Sequence, residues 1–406
     1  MNVLLLTPEL PPDDRAKVPH HILQEIRLLS LMPVKLHVLT GVQTSIRIPA
    51  VSFHVMPQTG RAPLETARSF WFGLRHGLGI HNYAASKKNR FAFKAILDNR
   101  IDVVHSHWAY PEGTGAAWAA HAAGIPCIMT LRGVEINVDH NSNYGYRLNR
   151  SYESMLRHSL QLASRITVAS SESMRSVESL IGASGKTLLI PNGIDLERFR
   201  PSDSKAAIAA SSPERSVPFR ILTLGNLVRN KRIDVVISAI SLMRTRGRDV
   251  RCIVAGEGPM RAALEHQIHT QSLQGVVTLE GPVHFDEVPS YYADCDAFAF
   301  ASAAEGFGNV LAEAMAMSRP IVSTPVGVAR DVIRDGVNGF IVPPGDARAM
   351  AERLEHLMDH PECARAMGER ARGTVVEQLA IQRRVESFYE LYQQCLSMSG
   401  REVLSI

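Results

Sequence analysis

The 406-residue chain has no run of about 18 apolar residues, the length a helix needs to cross a bilayer, so no transmembrane helix is expected. Its five cysteines (Cys127, Cys252, Cys295, Cys363 and Cys395) form no CxxC pair. An odd, scattered set excludes a disulfide framework and a thiolate metal site. It fits reduced thiols in a cytoplasmic compartment, each a small buried hydrophobe. The run from Met1 to Pro8 is too short for a signal-peptide core and has no basic leader, so it reads as a buried first strand. No GxGxxG follows it, which counts against a nicotinamide-dependent oxidoreductase. Short internal repeats and extended low-complexity tracts are absent too. With 45% hydrophobic and 21% charged residues, the chain is neither disordered nor collagen-like. What remains is a soluble globular protein long enough for two domains.

The formal charge of +4 is unevenly spread: residues 1–200 hold 22 Lys and Arg against 15 Asp and Glu. Residues 61–100 are the most basic part, with Arg61, Arg68, Arg75, Lys87, Lys88, Arg90, Lys94 and Arg100 against Glu65 and Asp98. Phe70, Trp71, Phe72, Phe91 and Phe93 interleave with them. This composition suits an acceptor phosphate or peripheral contact with an anionic membrane surface. A solvated helical hairpin is the plainer alternative. No nucleic-acid motif accompanies the charge, so no nucleic-acid partner is expected.

Short aliphatic runs alternate with longer helical stretches, the pattern of parallel sheets wrapped by helices. In the first half the strands are expected at Val3–Thr7, Lys35–Leu39, Val103–His105, Cys127–Thr130, Ile166–Ala169 and Thr187–Ile190. Helices are expected at His21–Leu31, Gly115–Ala123 and Tyr146–Leu162. Residues 201–217, rich in Ser, Ala and Pro, read as a linker. A second strand series follows at Phe219–Leu224, Arg251–Ala255, Val276–Glu280, Ala297–Ala301, Pro320–Thr324 and Gly339–Val342. The fold class is therefore α/β: two Rossmann-like, doubly wound domains facing across a cleft, spanning 1–200 and 218–380. A terminal helix within 381–406 packs back on the body. Ligands in such sheets bind beyond the carboxyl ends of the strands, which places the site in the cleft.

Chemistry concentrates in Ala301 to Met315. A strand ends, a loop with Gly306 and Gly308 follows, and a helix starts near Asn309 or Val310. The backbone N–H groups of Gly306, Phe307, Gly308, Asn309 and Val310 make a site for phosphate. Glu305 lies in the loop, and Glu313, one turn into the helix, is placed to accept hydrogen bonds from a ribose diol. A second element, Leu224 to Arg232, carries Arg229, Lys231 and Arg232, cations suited to a departing pyrophosphate. Ile190-Pro191-Asn192-Gly193 reads as a structural turn. His105 and His107 end a strand on one side of it. Their spacing offers no third metal ligand. His105 reads as a packed, hydrogen-bonded histidine and His107 as a residue at the cleft edge.

These pieces, in order, resemble the retaining glycosyltransferases of family 4, which have the GT-B fold. EGFGNVLAEAMA is similar to their Glu-x7-Glu signature. IPNGID, LGNLVRNKR, VAGEGPMRAAL, EGPV and PIVSTPVG…DGVNGFIVPPGD stand at the matching positions. VVHSHWAYPEG…GIPCIMTLRGVEIN resembles the exopolysaccharide and cell-wall glycan branch. The resemblance implies transfer of a hexose from a UDP- or GDP-sugar to a glycan or lipid-linked glycan. It implies no divalent metal and no cofactor, the nucleotide-sugar being a co-substrate. Glu305, Lys231 and His107 would be catalytic. Glu313 would hold the ribose, residues 306–310 with Asn226 and Arg229 the phosphates, and Gly281 and Pro282 the base. Arg132, His107 and Trp108 would face the acceptor. The chain departs from the family at Asn226, usually Arg, and at Arg132, usually His. The segment Glu9 to His21 has no Gly-Gly pair, and Asp331 replaces Glu. Asn226, Arg132 and the missing Gly-Gly pair keep open a non-catalytic member that binds a nucleotide-sugar or a partner glycosyltransferase.

Overall fold

The computed structural model describes residues 1–8, 10–11, 21–55, 83–109, 113–201 and 217–398. Most of the basic and aromatic stretch 61–100, nearly all of the linker 201–217, most of the Glu9–His21 segment, and Tyr110 lie outside the described residues. The first sheet contains β1 (Asn2–Leu6), β2 (Lys35–Thr40), β3 (Val51–Val55), β4 (Val103–His107), β5 (Cys127–Thr130), β6 (Arg165–Val168) and β7 (Thr187–Leu189). The second contains β8 (Phe219–Leu224), β9 (Val250–Ala255), β10 (Val277–Gly281), β11 (Ala297–Phe300), β12 (Ile321–Ser323) and β13 (Phe340–Ile341). Their orders are β3-β2-β1-β4-β5-β6-β7 and β10-β9-β8-β11-β12-β13. All strand pairs are parallel. The chain direction across the sheet reverses between β1 and β4, and again between β8 and β11. These are the switch points at which doubly wound sheets hold ligands.

β1 shows why the sheet is buried on both faces. Val3 and Leu5 enter one core with Ile22, Ile26 and Phe388, while Leu4 and Leu6 enter another with Ala116, Trp118 and Ile96. A parallel strand covered by helices on both sides reads as a continuous apolar run for this reason. β3 was not expected from the sequence. Among the described residues it pairs only with β2, at the sheet edge, and its side chains are half-exposed, so Ser52 and His54 interrupt the apolar pattern. The expected helix from Tyr146 to Leu162 is broken at Asn149. Tyr146–Leu148 forms a 3-10 turn. Asn149 is extended (φ −91°, ψ 115°) and caps Arg150–Leu162 by accepting from the N–H groups of Ser151 and Tyr152.

The last helix, Ile381–Met398, returns to the first sheet. Val385, Phe388, Tyr392 and Leu396 join the core around β1 and the helix His21–Leu29. Arg384 Nε donates to Glu25 Oε2 at 2.7 Å, and its Nη1 donates to the carbonyls of Ile190 and Pro191. Among the described residues, no helix is long and apolar enough to cross a membrane.

Candidate active site

A cavity of ≈ 590 Å³ opens between the carboxyl ends of the two sheets. The second half contributes Gly225, Asn226, Gly256, Pro282, Asn309, Val310 and Glu313 to its lining. Strand–loop–helix units bring these residues together: each loop follows β8, β9, β10 or β11 and ends at the same rim. The helix Asn309–Ala316 begins at Gly308, whose φ of 95° lies in the left-handed region that glycine tolerates. Among the described residues, the N–H groups of Gly306 to Val310 donate to no protein acceptor. Free amides at a helix start attract an anion.

Glu313 points into this cavity. Its Oε2 lies 3.0 Å from the Tyr292 hydroxyl, which also reaches the Val310 carbonyl at 2.9 Å. Burial pushes the Glu313 carboxyl up to about 7, against the opposing pull of the Tyr292 hydroxyl and Arg198. Phe307 is placed differently from its neighbours. Its ring is buried in the core with Leu311 and Val328, so only its main chain is available to a ligand. The Gly281 carbonyl accepts from Gly256 N–H at 2.7 Å and ties the loops after β9 and β10 together.

Lys231 and Glu305 form a pair beyond the cavity lining, with Nζ to Oε1 at 2.5 Å and side-chain exposures of 20% and 9%. Ser302 Oγ donates to the same carboxylate oxygen at 2.8 Å. The 3-10 turn Arg229–Lys231 is held by Asn230, whose carbonyl accepts from Ala303 N–H and whose Nδ2 donates to the Ala304 carbonyl. Arg229 is exposed and outside the lining, and Arg232 pairs with Asp234.

The first half departs most from its sequence reading. His107 is not at the cleft edge but fully buried. Its Nε2 lies 2.9 Å from Glu25 Oε1, and its Nδ1 lies 2.9 Å from Arg132 Nη2. Burial lowers its pKa to about 4, which Glu25 only partly offsets, so the ring is neutral near pH 7. A neutral ring protonated at Nε2 accepts from Arg132 at Nδ1 and turns its N–H side toward Glu25, close to the carboxylate but not aligned for a hydrogen bond. Arg132 correspondingly turns its guanidinium toward His107. Burial raises the Glu25 carboxyl, but Arg384, His107 and Arg132 outweigh it and hold Glu25 well below the usual range. His105 is fully buried between Tyr392 and Thr130, at 2.7 Å from each. Trp108 has φ 79°, a strained value for a residue with a side chain, and its buried indole N–H has no partner among the described residues.

Sequence reasoning missed the residues with which the first half lines the cavity: His21, Gln24 and Arg27 of the first helix, and Asp195, Arg198 and Phe199 of the crossover. The helix after the first strand of a doubly wound sheet starts at the switch point, and that signal was available. Arg198 bridges the halves, pairing with Asp286 and lying 3.8 Å above the Phe285 ring.

The chain contains an Asp-x-Asp triplet, Asp294-Cys295-Asp296. The triplet precedes β11, at the end of the strand away from the cleft, and Asp296 is bound to Arg220 through both the backbone N–H and the guanidinium. Among the described residues, no group of three or more His, Cys, Asp or Glu side chains is placed to hold a metal ion.

Comparisons with known proteins agree with this arrangement. Residues 50–198 match a family model described as Glycosyltransferase Family 4, and residues 204–374 match one described as Glycosyl transferases group 1. The chain is 24% identical to an alpha-D-kanosaminyltransferase of Streptomyces kanamyceticus over 87% of its length and 89% of the relative's. It is 28% identical to the capsular polysaccharide biosynthesis glycosyltransferase CapM of Staphylococcus aureus, over 51% of this chain and 54% of that one. Among solved structures, Anabaena Alr3699/HepE in complex with UDP superposes with a TM-score of 0.74 at 18% identity, covering 97% of this chain and all of that one. With two parallel-sheet halves facing across a cleft and both halves matched by glycosyltransferase models, the chain belongs to the family 4 glycosyltransferases of GT-B fold.

Proposed function

We propose that this glycosyltransferase is a retaining, metal-independent enzyme that moves a hexose from a UDP- or GDP-sugar to a glycan or lipid-linked glycan. Its setting would be exopolysaccharide or cell-envelope polysaccharide synthesis. The observation that carries this reading is one cavity that brings Glu313 and the free amides of Asn309 and Val310 to the same rim, with the Lys231–Glu305 pair next to them. The UDP bound to the HepE structure and the capsule pathway named for the CapM relative support the donor class and the setting.

In this reading Glu313 accepts from the ribose hydroxyls, and the loop by Pro282 holds the base. The amides of 306–310 and Lys231 take the charge that develops on the leaving pyrophosphate, where a fixed cation contributes most. Glu305 orients the sugar through its hydroxyls. Asn226 sits at the cavity lining where the family resemblance implies an Arg, so Lys231 takes the larger share. His107, being buried, acts through Arg132 and not by contact with a substrate. Arg132 and Trp108 stand on the acceptor side. The basic stretch 61–100 meets the acceptor or the inner face of an anionic membrane, with the enzyme in the cytoplasm. Nucleotide-sugar titration of the wild type and Glu313→Ala tests the donor site. The anomeric configuration of the product tests retention, and an inverted product would refute it.

A further inference from the structure

At one point the two halves meet through main chain alone. A Cβ on Gly133 would come within 2.1 Å of Gly306 Cα, and one on Gly306 within 2.2 Å of the Arg132 carbonyl oxygen. Beside this contact stands Asn137, 2% exposed, whose Nδ2 donates to the Glu305 carbonyl at 2.8 Å and lies 3.0 Å from Ser173 Oγ. The turn that presents Asn137 is braced within its own half. The Gly133 carbonyl accepts from the N–H groups of Ile136 and Asn137, at 3.0 and 2.7 Å. The fully buried Glu135 carboxylate takes the N–H groups of Ala109 and Arg132, each at 2.5 Å. Glu305 is therefore gripped from both sides: Lys231 and Ser302 of its own half hold its carboxylate, and Asn137 of the other half holds its carbonyl.

We propose that Asn137 is a positioning residue for sugar transfer. Its amide, presented by the Glu135-braced turn, fixes the main chain of Glu305, so the Glu305–Lys231 pair takes its working geometry only while the two halves are shut. The inference rests on the reading of Glu305 as a donor-sugar contact. The amide has one permitted orientation, because flipping it would set its oxygen against the Glu305 carbonyl oxygen. That orientation leaves Asn137 Oδ1 buried without a partner among the described residues. A joint that is one hydrogen bond short is easier to part than a satisfied one, and a cleft that exchanges substrates must part. Other cross-links, among them Asp331 to Ser171, Glu172 to Gly327, Asn192 to Asn309 and Arg198 to Asp286, do not touch the main chain of Glu305.

The test compares the wild type with Asn137→Ala, Asn137→Asp, Asp331→Ala and Glu305→Ala. Hydrolysis of UDP-glucose and GDP-mannose, calorimetric affinity for UDP and GDP, and hydrogen exchange over residues 303–310 are measured for each. Asn137→Ala should lower kcat by on the order of a hundredfold, the cost of a small misplacement at a reacting centre. Its nucleotide affinity should fall far less than kcat, because Glu313 is untouched. Asn137→Asp should lose more near neutrality. It should recover relative to wild type as the pH falls and its carboxyl becomes a donor to the Glu305 carbonyl. Exchange over 303–310 should quicken in both Asn137 variants and not in Asp331→Ala, a readout that needs no turnover. Unchanged kcat and exchange in Asn137→Ala overturn the proposal, as do equal losses in Asp331→Ala, which would mark a general interface effect. Full activity in Glu305→Ala would overturn the donor-site reading itself. An inactive Glu305→Ala beside a fully active Asn137→Ala overturns this inference alone.

Discussion

The second half of the molecule presents its chemistry on the cleft surface, whereas the first half buries much of its own. Glu313 and Val310 line the cavity from the helix that follows β11, and Asn226 from the loop that follows the neighbouring β8. Glu25, His107 and Arg384 are fully or almost fully buried, and His107 meets the Arg132 guanidinium and not the cavity. The first arrangement binds a ligand, while the second fixes the surface that faces it. Polar groups used for positioning must be paired, since an unpaired buried charge is costly. Polar groups used for binding must keep something unpaired for the ligand. The free amides of 306–310 and the paired Glu25–Arg384 bridge stand at the two extremes.

Removing Arg384 breaks this contrast most severely. Arg384→Ala strands the Glu25 carboxylate in a site where the two side chains are 4% and 2% exposed. Loss of one partner of such a pair costs about 3–5 kcal/mol. Urea unfolding near neutral pH measures it. The sign with pH follows from Glu25, whose folded pKa is depressed. Its contribution is present above the ordinary carboxylate pKa and is lost as the pH falls through the lower folded value. Wild type should therefore lose more stability than the variant on acidification, and parallel pH curves would show that the bridge contributes nothing. Lys231→Ala, on the other wall, should fold normally and lose turnover. A missing transition-state cation costs on the order of a hundredfold. Turnover within about twofold of wild type at saturating donor would reduce Lys231 to a half-buried lysine paired with Glu305.

The same contrast decides what could be read from the sequence. β8 spans Phe219–Leu224, as its apolar run indicates, and the loop from Ala301 to Met315 announces its acids and glycines in a single stretch. Local motifs of this kind are legible because strand, loop and helix are contiguous. The positioning network is not contiguous: Glu25 and Arg384 are 359 positions apart, and Asn137 meets Glu305 across 168. Nothing in the periodicity around Glu25 separates it from a surface acid on a helix, because its partners come from other segments. His107 was misplaced for the same reason. Its strand end points to the cleft, but the helix His21–Leu29 and the terminal helix cover it. β3 escaped because an edge strand buries too little to need a continuous apolar pattern.

Glu313→Ala sharpens the comparison from the binding side. The change removes charge-assisted hydrogen bonds to the ribose, each worth roughly 1.5–3 kcal/mol, so nucleotide affinity should fall by at least tenfold. Stability should hold, since the carboxyl is already pushed upward by burial and gains little from folding charged. Calorimetry with UDP and GDP, alongside urea unfolding, separates the two effects. Unchanged affinity for both nucleotides would remove Glu313 from the binding wall.

The smallest effect follows from the raised pKa itself. With its pKa near 7, Glu313 in the free protein is about half ionised at neutral pH, whereas a ribose diol is best received by the ionised form. Binding must then release the proton that the free carboxyl holds below that pH. Affinity should fall as the pH is lowered, by about tenfold between pH 8 and pH 6 for a pKa of 7. UDP-glucose and GDP-mannose are the suitable probes, because their pyrophosphate diesters do not titrate in this range whereas the terminal phosphate of UDP does. Calorimetry in two buffers of different ionisation enthalpy would detect the released proton directly. His107 provides no competing explanation, since burial keeps it neutral down to about pH 4. Burial likewise holds His21, on the cavity lining, near 3. A pH-independent affinity in wild type, matched by Glu313→Ala, would mean that the carboxyl meets the ribose without changing its charge. The slope should vanish in Glu313→Ala while a slope persists in Arg384→Ala, whose lesion lies in the buried network and not on the binding wall.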